Sequence, residues 1–176
     1  MNTANLYKAD GVDVEAGDAF SEHAGTVCRG NWKNSPFVEV YDLSDGFFRG
    51  VRGFRLRHLP RGYLIDKTSD GSGTKVVLSA AAGLYRQAAC DLLAMCSTDL
   101  TRNGGMSLVF NNVLDVKSLG EPGTPQHQAF IQLIEGLGDV AKQLASSCSA
   151  VRQPNCQSVS VRKIRKQTSS STAQGR

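Results

Sequence analysis

Apolar and polar positions change period several times along the chain, and each change marks an element. Val14 to Cys28 places apolar residues at helical spacing behind Asp13, a side chain suited to cap a helix N-terminus. After a polar stretch from Asn31 to Pro36, the run Phe37-Val38-Glu39-Val40-Tyr41 alternates as a half-buried strand does. Phe54 and Leu56 alternate with Arg55 and Arg57 in the same way, within a segment from Asp42 to Gly62 rich in glycine, phenylalanine and arginine. Interleaved arginine and aromatic residues also suit contact with a nucleotide or nucleic acid, but the alternation favours a half-exposed strand.

Tyr63 to Thr68 reads as another short strand, Asp70 to Lys75 as a glycine-rich loop, and the following Ala/Leu/Met-rich segment as a long helix carrying Asp91 and Asp99. Arg102-Asn103-Gly104-Gly105 supplies the cation and glycines that end it. Ser107 to Val116 is a mostly buried strand, and Thr124-Pro125 opens an amphipathic helix through Phe130, Leu133, Ile134, Leu137, Val140, Ala141 and Leu144. Past Ala145 no apolar period is left, so 146–176 reads as a disordered tail. The elements together imply an α+β fold, a mixed β-sheet packed against helices over residues 1–145.

Composition changes this picture mainly at the C-terminal end. Residues 1–139 hold 13 Lys/Arg and all 16 Asp/Glu, whereas 140–176 hold seven Lys/Arg and no acid, so the formal charge of +4 belongs to the tail. A basic tail could act as a nucleic-acid arm, but plain disorder is the favoured reading. Five cysteines without a Cys-x-x-Cys pair argue against a disulfide framework and a ribbon-type zinc site. Cys90 and Cys96 read as core thiols. No apolar run approaches the about 18 residues of a membrane span, and with no leader at the N-terminus the expected setting is the cytoplasm.

The chemistry concentrates between Tyr63 and Asn103. A glycine-rich loop between a strand and a helix presents backbone N–H groups, Lys75 adds a charge, and Asp91 and Asp99 stand two turns plus about 80° apart, about 12 Å between Cα atoms, so that both can face one side. On a helix apolar around most of its surface these carboxylates are expected to be buried, and to need partners or a metal. The set suits a metal-chelated polyphosphate. Gly71-x-Gly73 lacks the third glycine of a dinucleotide fingerprint, and Lys75 lacks the spacing of a Walker loop.

Three ordered blocks carry a family resemblance. Thr68 to Lys75 is similar to Thr-Asp-Gly-Val-Gly-Thr-Lys, and Cys90-Asp91-Leu92-Leu93-Ala94-Met95-Cys96-Ser97-Thr98-Asp99-Leu100 to Ile-Asp-Leu-Val-Ala-Met-Cys-Val-Asn-Asp-Leu. Tyr7 to Ala19 is similar to Tyr-Lys-x-x-Gly-Val-Asp-x-x-Ala-Gly. In this order the blocks resemble the N-terminal domain of phosphoribosylformylglycinamidine cyclo-ligase, or aminoimidazole ribonucleotide synthetase. The resemblance implies a sheet-forming, dimerising ATP domain and an ATP-dependent closure of formylglycinamidine ribonucleotide to aminoimidazole ribonucleotide in purine biosynthesis. It assigns magnesium to Asp70, Asp99 and Asp91, phosphate contacts to Gly71, Gly73, Thr74 and Lys75, and a further phosphate contact to Lys8. It also implies a homodimer joined through the sheet, with no membrane or nucleic-acid partner. Departures are Ser72 for valine, Ser97-Thr98 for Val-Asn, and a thinned glycine-rich stretch at Asp45 to Gly50. Selenophosphate synthetase and thiamine-monophosphate kinase, which share the fold, are the rival readings, as is a non-catalytic dimerisation or nucleic-acid module.

The family continues after the Thr124 helix with Gly-Gly-Glu-Thr-Ala-Glu. In the shifted reading frame, the codons of Ser149 to Cys156 permit Gly-Gly-Glu-Thr-Ala-Glu-Leu in that order, which implies a frame slip near Leu144 to Ser147 and a truncated domain. Sequencing the gene across codons 140 to 160 is expected to find the displaced base; an intact frame there rules the slip out.

Overall fold

A computed structural model describes residues 13–150, apart from 44, 47, 49, 51, 52 and 60, together with 158–165. Side chains are described through residue 144. In chain order the elements are α1 (Val14–Arg29), β1 (Val38–Tyr41), β2 (Gly53–Leu56), α2 (Lys75–Ala82), α3 (Tyr85–Thr101), β3 (Val109–Asp115), α4 (Pro125–Ala150) and β4 (Ser158–Arg165).

Helix α1 starts where its cap requires: the Ala16 N–H donates to Asp13 Oδ1 at 3.0 Å, and Glu15 sits in the first turn with Arg29 in the last, each matched to the helix dipole. Its buried face repeats every four residues through Ala16, Phe20, Ala24 and Cys28. Phe20, Ala24 and Cys28 pack into one core with Leu92, Leu93 and Cys96 of α3, Phe110 of β3, and Ile134, Leu137 and Ala141 of α4. Each large apolar side chain fully buried here contributes about 1.5–3 kcal/mol of transfer free energy.

Two glycines in α4 set how closely the helices approach. A Cβ on Gly136 would stand 2.7 Å from the Arg86 carbonyl oxygen and 3.0 Å from the Ala89 Cβ, so α4 crosses α3 almost backbone to backbone. A Cβ on Gly138 would lie 2.5 Å from Val27 Cγ1 of α1. Beside the first crossing, Arg86 donates to Glu135 Oε2 at 2.8 Å and to Asp139 Oδ2 at 2.7 Å. His23 of α1 lies 3.5 Å from the same Glu135 carboxylate. The Arg86 pairs are half exposed, so they orient the crossing more than they stabilise it.

The strands form two separate ladders. β1 and β2 pair antiparallel, Val38 opposite Leu56 and Tyr41 opposite Gly53. β3 and β4 pair parallel from Val109 opposite Ser158, with an irregularity between Val113 and Asp115. Along β3, Phe110 and Asn112 are buried while Asn111, Val113 and Asp115 face outward. The α+β class holds, but among the described residues the mixed sheet is two two-stranded pieces.

Two expectations are corrected. Tyr63 to Thr68 is not a strand: Leu64 is 93% exposed and Ile65 77%, and among the described residues no neighbouring strand offers the run a ladder to join. The long helix is two helices, because Gly83 takes φ +66° and ends α2 in the left-handed region open to glycine. α4 continues to Ala150, and Ser158 to Arg165, rich in alternating β-branched residues, pairs with β3.

The crossing yields a test of opposite signs. Gly136→Ala is expected to destabilise the protein by about 1–3 kcal/mol in urea unfolding, since its methyl meets fixed backbone. Gly17→Ala in α1, where a Cβ meets nothing within 4 Å, is expected to stabilise by about 0.5–1 kcal/mol. Equal midpoints for the two variants would show that the crossing is loose.

Candidate functional site

The loop before α2 is held by its own backbone. The Gly71 N–H meets the Asp70 carboxylate at 2.7 Å, the Lys75 N–H donates to the Ser72 carbonyl at 3.2 Å, and the Val77 N–H to the Thr74 carbonyl at 3.1 Å. The loop ends in helix, so Lys75 leaves it as the first residue of α2. Thr74 caps that helix by position only, because its hydroxyl makes no capping bond.

From there Lys75 reaches across to α3. Its Nζ lies 3.7 Å from Asp91 Oδ2 and 3.6 Å from Met95 Sδ. At the last turn of α3, Arg102 Nη1 lies 3.7 Å from Asp99 Oδ1. Asp70, Lys75, Asp91, Met95, Asp99 and Arg102 share one open cavity of about 350 Å³. Three carboxylates face two cations there, an excess of one negative charge with the pairs set apart along the cavity.

Of the residues singled out in the sequence, Asp70, Asp91, Asp99 and Lys75 come together. The backbones of Gly71, Gly73 and Thr74 stay exposed beside the cavity and do not line it. Lys8 lies outside the described residues. Both helix aspartates look to one side, as their spacing implied, but they are not buried: the Asp91 side chain is 61% exposed and that of Asp99 41%. The apolar surface of α3 is one face, through Ala89, Leu92, Leu93 and Cys96, and the carboxylates fall off its edge. Cys90 lies on the exposed side as well, contrary to its reading as a core thiol. Arg102 was visible only as a helix-ending cation; its three-residue step from Asp99 is the signal that puts it in the cavity.

The donor set fits magnesium in a particular way. Among the described residues no three His, Cys, Asp or Glu groups gather closely enough to hold an ion by themselves. Hard carboxylate oxygens spaced along an open wall, with cations between them, instead suit magnesium held by one or two carboxylates and shared with phosphates.

A larger hollow of about 540 Å³ is lined by Arg29, Trp32, Lys33, Glu39 and Arg57. Its guanidinium groups are already engaged. Arg57 holds Glu39, whose carboxyl lies below the usual range because Tyr41 and Arg57 both donate to it. Arg29 pairs with Asp42 at 3.2 Å. Both guanidinium groups are thus paired, and none of the residues that the resemblance assigns to metal or phosphate lines this hollow, so the smaller cavity is the candidate site.

Cys96 stands behind that cavity. Burial pushes its thiol above the ordinary range, and the Asp70 and Asp99 carboxylates push the same way against a backbone hydrogen bond at Asp70. At neutral pH it is therefore protonated and a poor nucleophile. Iodoacetamide at pH 7.5 is expected to alkylate exposed Cys90 at least about tenfold faster than Cys96, read by peptide mass mapping. Comparable rates would place the Cys96 thiolate within reach of solvent.

Comparison with known proteins supplies the family context. The chain is 32% identical over 146 residues to a protein named phosphoribosylformylglycinamidine cyclo-ligase from Prochlorococcus marinus (strain NATL1A), covering 81% of this chain and 37% of that protein. The cyclo-ligase of Trichlorobacter lovleyi is 28% identical over 137 residues, 78% of this chain and 36% of that protein. A trifunctional purine biosynthetic protein adenosine-3 from Drosophila pseudoobscura pseudoobscura is 31% identical over 134 residues, 76% of this chain and 9% of that protein. No family model and no solved structure matches the chain. Among the described residues no helix is long and apolar enough to cross a membrane.

Proposed function

The chain is a relative of the phosphoribosylformylglycinamidine cyclo-ligases, spanning about 37% of the length of those it matches most fully, and from that premise we propose that it forms the nucleotide-facing part of an ATP-dependent ring closure. The reaction is that of the family: ATP phosphorylates the amide oxygen of formylglycinamidine ribonucleotide, an amidine nitrogen attacks the activated carbon, and phosphate departs to leave the aminoimidazole. The observation that carries this reading is the cavity where Asp70, Lys75, Asp91 and Asp99 converge.

Magnesium bound with the nucleotide would neutralise phosphate charge. Asp99 and Asp70 would hold that magnesium, with Asp91 nearby, and Lys75 would exchange its contact with Asp91 for a phosphate oxygen. Gly71, Gly73 and Thr74 would offer backbone N–H groups at the cavity edge, that of Gly71 on release from the Asp70 carboxylate, and Lys8 a further cation. Catalysis by such a site is positioning and charge stabilisation, with no covalent intermediate on the protein. The aminoimidazole ribonucleotide synthetase-like fold, a homodimer joined through the sheet, a cytoplasmic setting and the division of the chain near Ala145 belong to the same reading. Strand edges without a partner among the described residues, and the exposed run at Leu64 and Ile65, support pairing with a second copy.

Calorimetric titration with magnesium-ATP tests the site in the chain as it stands. Asp99→Asn is expected to weaken binding about tenfold, equivalent to about 1.4 kcal/mol, with unchanged circular dichroism. Undiminished affinity would remove Asp99 from the site. Sedimentation of the same sample is expected to give a dimer, and a monomer would count against the sheet-joined assembly.

A further inference from the structure

The cavity holds one charged group that neither the sequence motifs nor the functional reading assigns. Arg102 caps α3, its N–H donating to the Thr98 carbonyl at 3.1 Å, so its backbone is fixed. Its side chain is 75% exposed, and its one carboxylate contact, to Asp99 at 3.7 Å, is long. An exposed pair of that length is weak and cheaply exchanged.

We propose that Arg102 is a specificity-determining cation of this cavity, pairing with Asp99 while the cavity is free and turning to a phosphate group when a magnesium-chelated polyphosphate binds. The proposal rests on the nucleotide reading above and adds a residue and an exchange to it. Lys75 on Asp91 and Arg102 on Asp99 form two separated cation–carboxylate pairs in one cavity. A magnesium-chelated polyphosphate presents the complementary set, anionic oxygens for the two cations and a metal for the released carboxylates. The planar guanidinium fork matches two phosphate oxygens at once, which an ammonium does not. The alternative role for Arg102, a cation set against the helix C-terminus, concerns stability alone.

Inorganic tripolyphosphate with magnesium is the probe, because it carries the phosphate and metal chemistry without a base or sugar. Calorimetry is expected to show binding by the unmodified chain, a dissociation constant about tenfold higher in Arg102→Met, and partial recovery in Arg102→Lys. Manganese alone, read by its paramagnetic resonance signal, is expected to bind Arg102→Met no more weakly than the unmodified chain, since Asp99 has lost its counter-charge. Arg102→Gln serves as a second neutral variant, and thermal unfolding verifies that each is folded. If the unmodified chain binds tripolyphosphate and both neutral variants bind it equally well, the role of Arg102 is overturned while the nucleotide reading stands. Matched losses of manganese and tripolyphosphate binding would also overturn it, as the signature of a structural role. No binding by the unmodified chain would overturn both readings.

Discussion

The near backbone contact of α4 with α3 at Gly136 is the constraint on which the other packing depends. With no side chain between them, Ala89 meets α4 directly, and the larger residues on either side close around the contact as Leu92, Leu93, Ile134 and Leu137. Gly138 does the same against Val27, so one short stretch of α4 fixes two helices at once. Close-packed interiors transmit small displacements: a methyl group at Gly136 would push on the α3 backbone, and one at Gly138 on the Val27 side chain.

That geometry also fixes the acidic wall of the candidate site. Once Leu92, Leu93 and Cys96 point into the core, Asp91 and Asp99 must emerge at the edge of α3, one on each side of the half-buried Met95. The core therefore sets the spacing of the carboxylates, while the cations arrive from elsewhere: Lys75 from α2, Arg102 from the end of α3. Cys96 joins the two environments, its thiol packed inward and its protonation governed by burial and by the carboxylates outside.

How legible this was depended on whether the cause lay nearby in the sequence. Asp13, Thr124 and Pro125 mark helix starts because capping is local, and the four-residue spacing from Ala16 to Cys28 names its own buried face. The convergence of Asp91 with Asp99 followed from helical geometry, and that of Asp70 with Lys75 from the short loop joining them. What failed depended on partners. Tyr63 to Thr68 has a strand's composition but no strand beside it among the described residues, and Ser158 to Arg165 pairs with β3, a partner more than forty residues away. Burial of the aspartates was misjudged from the richness of α3 in apolar residues, because composition does not say which edge of the apolar face a polar residue occupies. Arg102 was read for its local duty at a helix end, and its place in the cavity is a tertiary fact.

Gly83 separates the two walls of that cavity. α2, which carries Lys75, buries none of its residues, whereas α3 is embedded in the core. The width of the opening between Lys75 and Asp91 is thus set by an unburied helix standing against an embedded one. A ligand that draws the walls together gains contacts but must also arrest α2, so part of its interaction energy is spent on lost motion. Affinity at this cavity is therefore set as much by the stiffness of one backbone joint as by the charges that line it.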